Sequence, residues 1–162
     1  MSDPVTTVIQ ITPVNDAPVA VPQVLTGTED APVDIVLNGT DVDGTVVSFT
    51  IESLPDNGQL VDGNGTPVIA GQTFTAEQAA QLQFLPATDF DGNTQFNFTV
   101  TDDDGADSGV AAVVIQMTAV NDAPTADPFI TSTNEDVAVQ VQLSGADVDG
   151  TVVSFTIDSL PA

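Results

Sequence analysis

Apolar and polar residues alternate along most of this chain. Phe96, Phe98 and Val100 alternate with Asn97, Thr99 and Thr101, the period of a strand with one buried face. Val113, Ile115 and Met117 predict a second strand. Val33, Ile35 and Leu37 predict a third, with Asp34, Val36 and Asn38 on its other face. Val47, Phe49 and Ile51 predict a fourth around Ser48 and Thr50. Shorter strands are expected at 59–61, 67–69 and 82–85. Asn57-Gly58, Asp62-Gly63, Asn64-Gly65 and Asp91-Gly92 supply turns. One helical signal stands apart, the capping-box spacing of Thr75 and Gln78 within 75–81. About seven strands in about a hundred residues predicts an all-β, antiparallel Greek-key β-sandwich.

The pattern occurs more than once. Asn15-Asp16-Ala17-Pro18 returns as Asn121-Asp122-Ala123-Pro124. Asp41–Ile51 returns unchanged at Asp147–Ile157, and Val8-Ile9-Gln10 returns at Val114-Ile115-Gln116. Every offset is 106 residues. That period is too long for a solenoid unit and fits whole domains in tandem. The expected organisation is the last strand of a preceding repeat at 1–14, a complete repeat at 15–120, and the truncated first part of the next at 121–162. Residues 125–162 alone carry only the first strands of a sandwich. Val153, Phe155 and Ile157 are therefore expected to be exposed, a sticky half-sheet prone to self-association.

Composition narrows the chemistry. The 162 residues include 24 Asp and Glu and no Lys, Arg, His, Cys, Trp or Tyr, giving a formal charge of -24. Without basic residues, nucleic-acid binding and direct contact with anionic membranes are excluded. Nucleophilic catalysis by Cys, Lys or a Ser-His-Asp triad is excluded likewise. An apolar fraction of 41% is too high for a disordered acidic tail. No apolar run approaches the 18 or so residues of a membrane span.

The acids are clustered. They gather at Asn15-Asp16, Glu29-Asp30, Asp41-Val42-Asp43, Asp89-Phe90-Asp91 and Asp102-Asp103-Asp104, each at an expected strand end or loop. Asp-Gly and Asn-Asp are ordinary turn dipeptides, and a single acidic loop is usually just solvated. Five clusters with no basic side chain to pair them point instead to calcium, which takes six to eight oxygen ligands held on turns. The clustered acids Glu135, Asp136, Asp147 and Asp149 repeat the first copy's, which agrees with that reading.

These residues also resemble a family. Phe96-x-Phe98-x-Val100-x-Asp102, Gly105, Ser108 and the closing Val120-Asn121-Asp122-Ala123-Pro124 are similar to the end of a cadherin repeat. Pro86-x-x-Asp89-Phe90-Asp91-Gly92 and Glu29-Asp30-Ala31-Pro32-Val33 resemble the bacterial cadherin-like, immunoglobulin-like tandem repeats of giant calcium-dependent, RTX-type surface adhesins. The resemblance covers essentially the whole chain.

The resemblance implies calcium between consecutive domains. Position by position, it assigns Glu29, Asp89, Asp91, Asn121, Asp122, Asp147 and Asp149 to one junction. Asn15, Asp16, Asp41, Asp43 and the Asp102 loop with Asp104 are assigned to the preceding one. Asp103 and Asp104 offer an alternative site within the domain. Ala119 and Ala123 stand where the cadherin linker has aspartate and asparagine, so one or two ions per junction are expected.

The implied function is non-enzymatic: a calcium-stiffened extender in an extracellular adhesin of the bacterial cell surface. Its partners are neighbouring repeats of the same chain, and its role is to hold a distal binding domain away from the cell, as in a biofilm. The alternative is an adhesive binding module, homophilic or glycan-binding. Sugar sites lean on Trp and Tyr, which are absent, so the glycan form is disfavoured. A glycosidase acid–base pair would have to use the same carboxylates as the metal.

Overall fold

The computed structural model describes residues 3–159. The outermost positions of the flanking segments, 1–2 and 160–162, lie outside the described residues. Its strands are β1 (Val19–Ala20), β2 (Gln23–Thr28), β3 (Val33–Ile35), β4 (Gly39–Thr40), β5 (Val46–Ile51) and β6 (Gly58–Val61). They continue as β7 (Thr73–Thr75), β8 (Leu82–Pro86), β9 (Gly92–Asp102), β10 (Ala111–Thr118), β11 (Thr125–Ala126) and β12 (Gly145–Ala146). A single helical turn, α1 (Ala76–Ala79), separates β7 from β8.

Alternation in the sequence becomes two facing sheets. One has the order β2-β10-β9-β5-β7, the other β3-β8-β6. Phe96, Phe98 and Val100 on β9 are fully buried, as are Val113 and Ile115 on β10. Ile35, Leu82 and Phe84 from the opposite sheet close on them. The rings of Phe49 and Phe98 stack with centroids 6.4 Å apart, inside the range of favourable aromatic pairs. The fold is thus an all-β sandwich with its core between the sheets and most of its acids at the loops.

All strand pairs are antiparallel except β2 with β10, which run parallel from Gln23↔Val113 to Thr28↔Thr118. β2 is not evident in the sequence because it buries no residue fully and contains Gly27. It forms because β10 offers it a hydrogen-bonding edge. Residues 67–69 do not form the expected strand, but only a bridge from Pro67 to Val61, with Val68 buried beside it. Val47, expected inward, is 46% exposed. The ladder between β5 and β9 shifts register between Val46 and Ser48, and such an irregularity turns the local side chains over. The capping box forms as expected, Gln78 N donating to Thr75 Oγ1 and Thr75 N to Gln78 Oε1, yet the helix stops after one turn.

The repeat is visible in three dimensions. β1 pairs with β4, and β11 pairs with β12 in the same register one repeat later. Beyond β12 the described residues carry no further strand. Val153, Phe155 and Ile157 are exposed there.

Gly58 tests the sandwich packing. A Cβ at this position would strike the Phe84 ring and the Leu85 carbonyl. Gly58→Ala is expected to cost about 1–3 kcal/mol, the usual penalty of overpacking. Urea unfolding checks this as a lower midpoint with an unchanged m value.

Candidate metal centre

Two turns and the segment leaving β10 converge at one pole of the sandwich. The β2–β3 turn carries Asp30, the β8–β9 turn carries Asp89, and the segment leaving β10 carries Asp122. One carboxylate oxygen from each lies within 4.8 Å of the other two. Calcium–oxygen distances are about 2.3–2.6 Å, so this spacing is of the size that a shared ion would require. Asp30 and Asp89 both adopt left-handed backbone, φ 60° and 56°, a conformation Asp tolerates better than most residues. Asp89 N also donates to Asp30 Oδ1 at 3.3 Å, which ties the two turns together.

The next repeat adds acids to this pole. Asp122 N donates to both carboxylate oxygens of Asp149 at 3.3 Å. Asp122 Oδ2 and Asp147 Oδ1 are buried with no hydrogen-bond partner among the described residues. Burial first, then the charges of Asp89, Asp149, Asp30 and Asp147, pushes the Asp122 carboxyl above its ordinary value. Ionising it without a cation therefore opposes folding as pH rises through that raised value. These orphaned oxygens are what a divalent cation would satisfy, so the donor set fits calcium.

Glu29 sits apart from the triad. Its side chain is 5% exposed, and Oε1 accepts the Val120 amide at 2.6 Å. Glu29 N donates to Thr118 O at 3.0 Å, and Thr118 Oγ1 to Gly27 O at 3.1 Å. Glu29 thus holds the outgoing chain against the end of β2. Asn121 Nδ2 turns onto the Asp122 carbonyl, and Asp91 is exposed and outside the triad.

The opposite pole carries the other expected set. Asp16 N donates to both Asp43 oxygens at 3.3 Å, the same contact that Asp122 makes one repeat later. Asp43 N donates to Asp41 Oδ1, while Asp41 Oδ2 is buried and unpartnered among the described residues. Asp102 is only 1% exposed. Its Oδ2 accepts Asn15 Nδ2 at 2.9 Å, and its Oδ1 accepts the amides of Asp104 and Ala106. The Asn15 amide, followed by the backbone amides of Ala106, Gly105 and Asp104, holds the Asp102 carboxyl below its ordinary value despite burial. Asp103 Oδ1 accepts Thr45 N at 2.7 Å. A Cβ on Gly44 would meet Asp103 Oδ1 at 2.6 Å and Asp41 Oδ2 at 2.8 Å, so both carboxylates crowd this glycine. Asp104 is exposed, and only its amide is engaged, within the turn.

Of the residues singled out in the sequence, the structure brings Asp89 and Asp122 together, with Asp147 and Asp149 beside them. Asp30, in the Glu29-Asp30 cluster, is not among the ligands that the resemblance implies. The resemblance favours Glu29, and only the left-handed turn shows which of the two neighbours faces Asp89.

A family model described as a bacterial Ig domain matches residues 15–116, well over half of the chain. The chain belongs to this bacterial Ig domain family. A solved structure of fibronectin(III)-like modules of CbhA from Clostridium thermocellum is similar at 19% identity, with a TM-score of 0.38. The likeness covers 64% of this chain and 47% of that one, so the chain spans about half the length of that structure. No curated protein matches. Bacterial Ig-like domains commonly occur in surface proteins as structural modules.

Two measurements test the poles. Glu29→Ala is expected to cost about 1–3 kcal/mol and to speed exchange of the Val120 amide, because a buried charge-assisted hydrogen bond is lost. Glu29→Gln, which keeps the acceptor oxygen, should cost less. Asn15→Ala should move the Asp102 carboxyl up toward its ordinary value, read by carboxyl-carbon NMR titration. Asp102 contributes stability above the ordinary carboxylate value and loses it as pH falls through the lowered one. In the variant that loss comes at higher pH.

Proposed function

We propose that this chain is a calcium-stiffened extender of a long, repetitive, RTX-type bacterial surface adhesin, acting outside the cell. The observation that carries the reading is the convergence of Asp30, Asp89 and Asp122. Two of these belong to the sandwich, and the third belongs to the segment that leads to the next repeat. An ion held by all three ties the exit of one domain to two of its loops. Asp147 and Asp149 bring the following domain to the same point. Calcium then cancels mutual repulsion and restricts the angle between domains, so the string stands out from the surface. The partners in this reading are neighbouring repeats of the same chain, and the carboxylates serve the metal, not catalysis.

Calcium is expected to raise the melting temperature, and magnesium much less, because magnesium is smaller and dehydrates reluctantly. Calcium at about 100 times its Kd adds about 2.7 kcal/mol per site. For a domain of this size that is a rise of roughly 10 °C. Equal melting in chelator and in millimolar calcium would rule the metal out. Stiffening has its own readout, small-angle scattering of a protein with two complete repeats. Wild type should be longer and more rigid with calcium than without. Asp147→Asn with Asp149→Asn should leave the protein flexible in both conditions.

A further inference from the structure

The chain changes sheets just before β2. Val19 and Ala20 pair with Thr40 and Gly39, and Val21 N donates to Asn38 O at 2.9 Å. From Gln23 onward the chain pairs instead with β10 of the facing sheet. β2 and β3 are thereby left as edges of two different sheets. A groove of about 840 Å³ runs between them, lined by Val24, Leu25, Pro32 and Val33 among others.

The two main sheets have four edge strands, β2, β7, β3 and β6, and three of them are shielded. Beside β6, Val68 N donates to Leu60 O and Pro67 bridges to Val61. β7 has three residues and runs straight into α1, where Gln78 Oε1 takes the Thr75 amide. β3 also has three residues, follows Pro32 and carries Asp34, while Gln23 Nε2 takes the Val36 carbonyl just beyond it. β2 has six residues with neither charge nor proline. Among the described residues, Gln23–Gly27 share backbone hydrogen bonds with β10 alone. Alternate amides and carbonyls of β2 therefore point away from its sheet, an open template for a further strand.

We propose that the β2 edge receives an extended segment of a basic polypeptide, which adds a sixth strand to the five-stranded sheet. Every second residue of that segment is apolar and fills the groove over Leu25 and Val33. The residues between them are Lys or Arg and stay in water beside Val24 and Thr26. Charge decides the partner. The chain carries -24 and no Lys, Arg or His, so a second copy is repelled, whereas a cationic segment is drawn in by the whole field. Asp34 is the charged group in the groove lining, and its Oδ1 already accepts Gln83 Nε2. β2 itself has no carboxylate that pairing would strip of water. Main-chain bonds supply the affinity, and the alternation of side chains supplies the selectivity.

Amide NMR of the isotope-labelled 162-residue chain tests this with a synthetic peptide of about nine residues, Lys and Val in alternation with blocked ends. Amides of Gln23–Thr28 should shift and saturate below about 1 mM peptide, and alternate ones should gain protection from exchange. A Glu–Val peptide should not bind, and oligolysine should not protect these amides. Val24→Lys with Thr26→Lys places like charge beside the incoming lysines. Binding should weaken at least about tenfold, with little change in melting temperature because both side chains are exposed. Gln59→Lys with Ile69→Lys adds the same charge near the β6 edge and should leave binding within about twofold of wild type. The β2 response is expected in millimolar calcium and in chelator alike, so it stands or falls apart from the calcium reading. Shifts confined to the acidic poles, equal protection by oligolysine, a dimer of the chain through β2 in place of peptide capture, or no binding at about 1 mM would overturn the proposal.

Discussion

No carboxylate in this chain has a basic side chain to pair with. Each acid must be solvated, protonated, or satisfied by a neutral donor, and most of the loop structure follows from that constraint. Backbone amides do much of this work. Asp62 Oδ1 accepts the amides of Asn64 and Thr66 and so builds its own turn, which holds its carboxyl below the ordinary value. Asp102 and Asp103 accept amides and shape the loop between β9 and β10. Neutral side chains serve elsewhere, Gln83 on Asp34, Thr99 on Glu52 and Thr101 on Asp107.

The exceptions lie at both poles of the sandwich. Asp41 Oδ2, Asp122 Oδ2 and Asp147 Oδ1 are buried without partners among the described residues, and all three lie at ends of the sandwich where repeats meet. Asp41 and Asp147 are the same position one repeat apart. In both copies this aspartate keeps one buried oxygen without a hydrogen-bond partner among the described residues. The uncharged middle makes this possible. Phe84, Phe96, Phe98 and Ile115 hold the sheets together without polar help, so the loops can carry unfavourable electrostatics without unfolding the domain.

Glu29 shows how close the structural and electrostatic roles lie. It neighbours Asp30 in sequence, yet it is buried on the Val120 amide while Asp30 faces Asp89. One acid anchors the outgoing segment, and the next joins the cluster that meets it. Anchoring by a buried hydrogen bond needs no ion, so Glu29 by itself orients the exit of β10.

Period-two alternation was enough to place β3, β9 and β10, because a half-buried strand needs an apolar residue at every second position. Recurring identical segments showed the 106-residue repeat, and residue identities showed the acid clusters at strand ends. The short strand β2 was not legible, since its residues bury little and its existence depends on the edge of β10. The exposure of Val47 was not legible either, because an irregular pairing across to β9 decides it. For the site, the sequence determined which clusters exist, and the absence of Lys, Arg and His determined that nothing within the chain neutralises them. Only the tertiary structure decided between Glu29 and Asp30. Adjacent residues on a turn point in different directions, and a left-handed backbone angle at Asp30, which no residue spacing encodes, sets which carboxylate meets Asp89 and Asp122.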